Sequence, residues 1–267
     1  MQIYSFKICL MHLKPSNMKT VVLFAGLLSV ALANVISLSP EQTEEARNAL
    51  EDPDLFGGDM IGVTFDDERN AIVGNHYRWP NAVVPYVIDD VLLKYEYLVQ
   101  KIETAMNEYH KNTCIRFVKR TDEEDYVRLA WDPDKKCNSA VGRVVGEQLL
   151  HLGRGCWHVG TVIHELGHVL GFYHEQNRSD RDDHLIIYEE NIKDGSAKDF
   201  IKLNPEQNIL YNDFDYDSIM IYGNKAMTKN DKDTMVAKNG KILLDPFRKE
   251  EMTKSDIERF RKMYNCA

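Results

Sequence analysis

The stretch that most constrains the fold of this chain is HELGHVLGFYHE, which runs from His164 to Glu175. His164 and His168 are four residues apart, so on a helix their imidazoles lie on one face, one turn apart. Gly171 predicts the end of that helix, after which the chain can turn and bring His174 back to the same place. The spacing therefore predicts a helix, a sharp turn and three imidazoles that meet at one point.

Three neutral imidazoles at this spacing suit a single tetrahedral metal ion, bound through nitrogen at about 2.0–2.1 Å. The candidate is one Zn²⁺ per chain, with His164, His168 and His174 as its ligands. Three protein ligands leave a fourth position open, which is typical of a catalytic zinc site. Glu165 follows the first ligand directly and is placed to act as a general base. The alternative, three ordinary core or surface histidines, would not require the glycine.

The sequence on either side of this motif adds to the pattern. Glu175 directly follows the third histidine and continues into QNRSDRD at residues 176–182, while residues 215–222 read DYDSIMIY. Together these motifs resemble the astacin family of zinc metalloendopeptidases, which belongs to the metzincin clan. The resemblance covers about residues 55 to 266. It implies a secreted zinc-dependent endopeptidase, made as a zymogen, that hydrolyses peptide bonds in proteins.

The resemblance also implies roles for single residues. Met220 would form a hydrophobic floor beneath the zinc, and Tyr222 would be an additional ligand that swings away and hydrogen-bonds the tetrahedral intermediate. Glu165 would take a proton from the attacking water and pass it to the leaving amine. Glu175 would be buried, and a buried carboxylate needs a partner. Its implied partner, through water, is the new amino terminus at Asn70 after activation.

The fold that the resemblance implies is α+β, a two-lobed metzincin protease domain. Its N-terminal lobe would hold a twisted mixed sheet and long helices, one of which carries HELGH, and its C-terminal lobe would be mostly irregular. An edge strand near residues 146–152 would pair with a protein or peptide substrate in extended conformation. The family usually has histidine where this chain has Ile221; since that residue is not a zinc ligand, we expect activity to survive the change.

The first residues of the chain predict a secretory signal peptide. An apolar run extends from Val21 to Ala33, follows Lys19 and ends in small residues, which predicts cleavage after Ala33. The run is too short for a membrane anchor, which needs about 20 apolar residues. Met18 begins a more conventional signal than Met1, and the sequence leaves both initiation sites open.

The rest of the chain divides into two parts. Residues 34–69 are acidic and polar, and we interpret them as a propeptide that a trypsin-like activating protease cuts after Arg69. Residues 70–267 are one domain in size and would form the astacin-like metalloprotease catalytic domain. Within the propeptide, Asp59 of the FGGDM stretch resembles the family's propeptide aspartate, which would take the place of water on zinc and keep the zymogen inactive.

The cysteine content predicts two disulfides. Of five cysteines, Cys9 precedes the apolar run and would be lost with it. An even number in a secreted chain indicates disulfides rather than metal ligands, and spacing alone leaves three pairings open. The resemblance implies the pairs Cys114–Cys266 and Cys137–Cys156.

Charge narrows the set of partners. The net charge is −9, and no basic cluster of the kind found in nucleic-acid binders is present. We therefore expect no nucleic-acid partner. No stretch after Ala33 is apolar and long enough to span a bilayer, so we expect no membrane partner. We also expect a monomer. The alternative function is a catalytically inactive secreted binding protein on a metzincin scaffold. It would require damage at Glu165 or at a zinc ligand, and the sequence contains none.

Overall fold

The computed structural model describes residues 38–63, 74–134 and 136–267. We call residues 38–63 the N-terminal segment, and the described residues from 74 onward the main domain. The predicted signal peptide and the predicted cut between Arg69 and Asn70 lie outside the described residues. Within the described ranges, no helix is both long and apolar enough to cross a membrane.

Within the described part of the chain, six strands form one mixed sheet in the order β1-β5-β6-β4-β2-β3. β5 runs antiparallel to β6, and all other neighbouring pairs are parallel. β1 belongs to the N-terminal segment and the other five strands to the main domain. The strands are β1 (Met60–Ile61), β2 (Val83–Ile88), β3 (Arg116–Lys119), β4 (Tyr126–Ala130), β5 (Cys137–Ala140) and β6 (Glu147–Leu152).

Two of the longer helices form the core beside this sheet. The helix that spans Glu96–Asn112 packs against the helix that carries HELGH. It buries an apolar stripe at three- and four-residue spacing, which consists of Leu98, Ile102, Ala105, Met106 and Tyr109. The helices are α1 (Pro40–Ala49), α2 (Asp90–Leu93), α3 (Glu96–Asn112), α4 (Val159–Val169) and α5 (Lys254–Met263).

The chain between α4 and α5 is mostly irregular. It contains short 3₁₀ turns and a small antiparallel pair, β7 (Leu185–Ile187) with β8 (Met235–Ala237). Two disulfides tie loops to the core: Cys137–Cys156 joins β5 to the turn before α4, and Cys114–Cys266 joins the start of the β3 region to the C-terminus. These are the two pairs that the resemblance implies. The predicted fold class, α+β with a mixed sheet, long helices and an irregular second half, is confirmed.

The prediction that residues 146–152 form a substrate-pairing edge is wrong. Residues 147–152 are β6, which is paired with β4 on one side and with β5 on the other. Residues 150 and 151 are therefore paired on both sides, and β6 is an internal strand of the sheet rather than its edge. The edge of the main domain is instead β5, whose Ser139 and Ala140 pair with Met60 and Ile61 of the N-terminal segment.

The N-terminal segment packs as part of the core rather than as a loose extension. Ser39 caps α1 in a capping box with Gln42. Ala46, Ala49 and Leu50 are buried in the same apolar cluster as α4. From Leu50 the chain continues across the main domain to β1, and this path takes residues 56–60 over the three histidines.

Candidate metal centre

The three histidines of the motif meet at one point inside the molecule. α4 carries His164 and His168, Gly171 takes up a φ of +107° after the helix ends, and the chain returns to place His174 opposite them. The Nε2 atoms lie 3.1, 3.2 and 3.1 Å apart, and all three side chains are buried. A tetrahedral ion with nitrogen ligands at 2.0–2.1 Å would separate them by about 3.3 Å.

In two of the rings the outer nitrogen faces a carbonyl oxygen and therefore carries a proton, so the inner nitrogen is the bare one when the ring is neutral. His164 Nδ1 donates to the carbonyl oxygen of Ile219 at 2.8 Å, and His168 Nδ1 donates to that of Phe172 at 2.6 Å. Burial lowers the pKa of His164 to about 3 and also lowers the pKa of His174, so these rings are neutral. Unprotonated Nε2 atoms cannot hydrogen-bond one another. A cation among them resolves this conflict, and the residues present fit zinc.

Asp59 completes a fourfold set of candidate ligands. Its Oδ2 lies 3.0 Å from His164 Nε2, and its Oδ1 lies 3.4 Å from His168 Nε2 and 3.1 Å from His174 Nε2. All four ligand atoms are within 4.8 Å of one another and buried. Gly57 permits this approach, because a β-carbon there would lie 2.8 Å from the His174 ring and its φ is +68°. The FGGDM stretch is therefore shaped to place a carboxylate over the histidines.

Glu165 lies beside this cluster with no partner of its own. Its side chain is fully buried, and neither carboxylate oxygen has a hydrogen-bond partner within the described residues. Burial, together with the nearby Asp59 carboxylate, raises the pKa of Glu165 well above its usual value. A buried carboxylate with a perturbed pKa beside three buried histidines is a candidate for a functional group.

Met220 packs directly beneath the ligand helix. A β-carbon on Gly167 would lie 2.5 Å from Met220 Sδ, so the glycine between the two helical ligands allows the thioether to touch the helix backbone. Met220 is 1% exposed. Met220 therefore lies against the turn of α4 between His164 and His168.

This contact predicts a large effect for a small substitution. Gly167→Ala should destabilise the protein by about 1–3 kcal/mol, because the new methyl group overlaps Met220 Sδ. For a chain of this size that is a fall in Tm of several degrees, roughly 2–4 °C per kcal/mol. Calorimetry would measure it. In a Met220→Ala background, Gly167→Ala should lower the free energy of unfolding by clearly less. Equal losses of stability in both backgrounds would contradict the contact.

The turn that carries Met220 is held by a half-buried lysine that the sequence did not reveal. Lys249 Nζ donates to the carbonyl oxygens of Ser218 at 2.7 Å and Ile221 at 2.9 Å. Burial lowers the pKa of Lys249 to about 8. Ile221 itself is fully buried in the apolar core. The isoleucine at this position is therefore accommodated by packing.

The Asp256 carboxylate binds the same turn through a side-chain hydroxyl and a backbone N–H. Asp256 Oδ1 accepts the hydroxyl of Ser218 at 2.6 Å, and Oδ2 accepts the backbone N–H of Ile219 at 2.8 Å. Since the carbonyl of Ile219 is the acceptor for His164 Nδ1, this network orients one candidate ligand through the backbone. Asp256 lies on α5, and no local sequence signal connects it with the histidines.

Tyr222 faces the N-terminal segment. Its side chain is buried, and its hydroxyl hydrogen-bonds the Asp59 carboxylate and lies 3.1 Å from the carbonyl oxygen of Leu50. Burial and the adjacent Asp59 charge raise the pKa of Tyr222, so the phenol keeps its proton. The hydroxyl is thus an available donor beside the metal centre, engaged here by residues of the N-terminal segment.

Glu175 is buried as the resemblance implies, but two arginines satisfy it. Arg259 Nη2 donates to Oε1 at 2.8 Å and Nη1 to Oε2 at 2.5 Å, while Arg178 Nη1 donates to Oε1 at 3.1 Å. The N–H of Asp215 adds a fourth bond at 2.8 Å. A buried carboxylate did need a partner, and sequence reasoning missed both arginines. A cavity of about 60 Å³, lined by Glu175, Arg178 and Tyr211 among others, opens beside this cluster.

Comparison with known proteins identifies the family. A family model described as Astacin, a peptidase family, matches residues 71–265. The chain belongs to the astacin family. Astacin-like metalloprotease toxin 1 of Loxosceles intermedia is 41% identical over 222 residues, 79% of this chain and 81% of that protein. Zinc metalloproteinase nas-4 of Caenorhabditis elegans is 38% identical over 200 residues, 74% of this chain and 62% of that protein.

A solved structure agrees with this assignment. High choriolytic enzyme 1, a hatching enzyme zinc-protease from Oryzias latipes, matches with a TM-score of 0.63 and 39% identity, covering 71% of this chain and 94% of that one. As an astacin, the protein is a zinc-dependent peptidase that acts on protein substrates. The histidine cluster is the site in the described chain where the zinc ion fits.

The Asn177-Arg178-Ser179 sequon, whose occupancy the sequence leaves open, is buried in this astacin. Asn177 is 0% exposed, and its Nδ2 donates to the carbonyl oxygens of Asp199 at 3.0 Å and Ile201 at 2.8 Å. A glycan on that nitrogen would replace one of its two hydrogens, so at least one of these bonds would be lost, and the fully buried side chain leaves no room for a sugar. Peptide mapping by mass spectrometry should therefore find Asn177 unmodified in folded protein; a glycosylated, active form would contradict this.

Proposed function

We propose that this astacin is a secreted endopeptidase made as a zymogen, in which residues 34–69 are the propeptide. The observation that carries the proposal is the position of Asp59, whose carboxylate lies within 3.4 Å of all three histidine Nε2 atoms. A carboxylate there occupies the fourth position that a water molecule needs for catalysis. The N-terminal segment would therefore inhibit the site directly rather than at a distance.

The edge strand supports the same proposal. β1 is paired with β5, the strand at which an extended peptide substrate would otherwise add to the sheet. Leu50 and Asp59 also engage the Tyr222 hydroxyl. The metal position, the edge strand and the tyrosine are thus all occupied by one segment, and removing it would free all three together.

The chain's own residues then account for peptide hydrolysis. Zinc, when bound by the three histidines, supplies a Lewis acid that polarises the scissile carbonyl and makes water more acidic. Glu165 accepts a proton from the attacking water and later delivers it to the leaving amine. Tyr222, released from Asp59 and Leu50, donates a hydrogen bond to the oxygen that gains charge in the transition state.

Activation would follow a cut after Arg69, which leaves a new amino terminus at Asn70. The cavity beside Glu175 supports a binding place for that ammonium group, since it has room for water beside a buried carboxylate. Glu175 already binds Arg178 and Arg259. The ammonium would therefore join an existing ion network through water instead of neutralising a lone charge.

The two disulfides and the apolar run near the start of the chain support secretion. Two disulfides, one of them with both cysteines buried, are features of proteins that fold in oxidising compartments. The apolar run before Ala33 would supply the signal for export. The two observations are independent and point to the same compartment.

The test is N-terminal sequencing of the full chain expressed in a secretory host. We expect the protein in the medium to begin at Asn34 and the active product of a tryptic cut to begin at Asn70. Arg69→Gln should be secreted equally well but stay inactive after trypsin. Retention of the apolar run in the cell would contradict secretion, and full activity of Arg69→Gln would contradict activation at this bond.

A further inference from the structure

Two neighbouring residues of the main domain bind the N-terminal segment just before it reaches the histidines. Lys198 Nζ donates to the carbonyl oxygen of Pro53 at 2.6 Å, and Asp199 Oδ1 accepts the backbone N–H of Gly57 at 2.9 Å. The Lys198 contact is exposed to solvent, whereas the Asp199 contact is buried. Asp199 is therefore the residue of this pair that contacts the segment inside the molecule.

The backbone at Asp199 is fixed by the chain that follows the third histidine. Asn177, three residues after His174, donates from Nδ2 to the carbonyl oxygen of Asp199 at 3.0 Å. Arg181 Nη1 donates to the carbonyl oxygen of Phe200 at 2.8 Å. Both hydrogen bonds are buried. They connect the position of the Asp199 carboxylate to that of His174, which is a candidate zinc ligand.

The part of the N-terminal segment that Asp199 binds is a closed loop. The N–H of Asp52 donates to the carbonyl oxygen of Gly58 at 2.8 Å, and Gly57 and Gly58 have φ values of +68° and +88°. Asp59 follows directly, with its carboxylate at the histidines. Because glycine has more backbone freedom than any other residue, a contact from outside the loop helps to select one conformation of it.

Asp199 is a carboxylate in a place where burial disfavours its charge. The residue is 3% exposed. Burial raises the pKa of Asp199 to about 7, whereas the Lys198 charge and the Gly57 N–H favour the ionised form. A buried carboxylate needs hydrogen-bond donors, and the N–H of Gly57 is a donor that is lost when the N-terminal segment leaves. The carboxylate and the segment therefore stabilise each other.

We propose that Asp199 is a positioning residue of the inhibited state, which holds Asp59 over the histidines by binding the Gly57 N–H. This role rests on the proposed function, because it concerns the chain before the cut after Arg69. Gly57 lies against the His174 ring, where a β-carbon would be 2.8 Å away, and Asp59 is two residues further on. A shift of this glycine therefore moves the carboxylate off the histidines. Asp199 is not needed for hydrolysis once the segment has left.

The experiment compares uncut chains, residues 34–267, at about pH 8, where the Asp199 carboxyl group is ionised. Asp199→Ala should raise hydrolysis of a short quenched fluorescent peptide about tenfold above the wild-type zymogen, the value of a hydrogen bond to a charged group. Asp199→Asn should raise it by about threefold at most, because the amide oxygen can accept the same N–H. Asp199→Ser, whose hydroxyl ends one bond short of the carboxylate oxygens, should behave as the alanine variant does.

Two further measurements show whether Asp199 acts through Asp59. In an Asp59→Ala background, Asp199→Ala should raise hydrolysis by less than about twofold, because the residue that it positions is already gone. The visible absorption of Co²⁺ in place of zinc reports the ligands of the ion. The spectrum of uncut Asp199→Ala should therefore shift from that of the wild type toward that of uncut Asp59→Ala.

Asp194→Ala is the matched control. Asp194 is an exposed acid five residues before Asp199 and pairs with Lys229 rather than with the N-terminal segment. Its loss should leave the uncut chain as inactive as the wild type. After the cut, the Asp199 variants and this control should all hydrolyse the peptide within about twofold of the wild type, since they keep the same catalytic residues.

The outcomes separate this role from the proposed function. If uncut Asp199→Ala and Asp199→Ser stay as inactive as the wild type while uncut Asp59→Ala is active, Asp199 does not position Asp59 and the inference is overturned. An equal effect of Asp199→Ala with and without Asp59 would overturn it as well. In both cases the proposed function stands. A zinc-loaded, correctly cut wild-type chain that hydrolyses nothing would overturn the proposed function instead.

Discussion

Glu165→Gln is expected to lower kcat/KM of the cut enzyme by roughly 10³-fold while zinc stays bound at one ion per chain. The amide keeps the size of the side chain but cannot accept a proton, and general-base catalysis contributes about 10²–10⁴-fold. The fold should tolerate the change, since neither carboxylate oxygen has a hydrogen-bond partner in the described chain. Peptide hydrolysis and metal analysis on the same samples would measure both quantities.

Glu258→Gln provides the matched control, because it makes the same chemical change at a half-exposed position on α5. This variant should keep kcat/KM within about twofold of the wild-type value, because surface substitutions usually have small effects. Normal turnover by Glu165→Gln would remove Glu165 from the mechanism. Loss of zinc from this variant would instead give the residue a structural role in the metal site.

Asp59→Ala is expected to raise hydrolysis by the uncut chain at least roughly tenfold above the wild-type zymogen. The carboxylate contacts three histidines and Tyr222, and contacts of a charged group contribute about 1.5–3 kcal/mol. Losing it shifts the N-terminal segment toward states in which the site is open. Activity should still stay below that of the cut enzyme, because other contacts of the N-terminal segment remain. These are the β1–β5 pairing and the hydrogen bonds that Lys193 Nζ and the Met227 N–H donate to the Glu51 carboxylate.

Asp54→Ala removes an exposed acid from the same segment and should leave the uncut chain as inactive as the wild type. Hydrolysis of a short peptide before any tryptic treatment would distinguish the two variants. If Asp59→Ala stays fully inactive until it is cut, the aspartate does not carry the inhibition, and burial of the edge strand would be the stronger cause.

The sequence predicted the parts of the site that lie close together along the chain. His164, Glu165 and His168 share one helical turn, and Gly171 with His174 follows at a fixed spacing, so helix geometry and a single glycine bring the ligands together. Asp59 and Met220 came instead from the resemblance to a family, because nothing in their local sequence connects them with the histidines.

The missed features depend on contacts between distant segments. Lys249 and Asp256 hold the methionine turn, and Arg259 holds Glu175, over separations of 28 to 84 residues. The order of strands in the sheet also depends on contacts between distant segments. The sequence of β6 predicts a strand whether it lies inside the sheet or at its edge, and only the pairing with β4 and β5 shows that β5 is the edge of the main domain. Periodicity predicts which element forms but contains no information about its neighbours.

The central claim is that an intact three-histidine zinc site is blocked by the N-terminal segment. The most direct test is hydrolysis of a denatured protein by residues 34–267 before and after tryptic cutting at Arg69, with zinc measured in both samples. We predict one zinc per chain throughout, hydrolysis only after the cut, and loss of that hydrolysis with a chelator. Full activity before the cut would contradict the inhibitory role of the segment, and a zinc-loaded, correctly cut chain that hydrolyses nothing would contradict its assignment as an active protease.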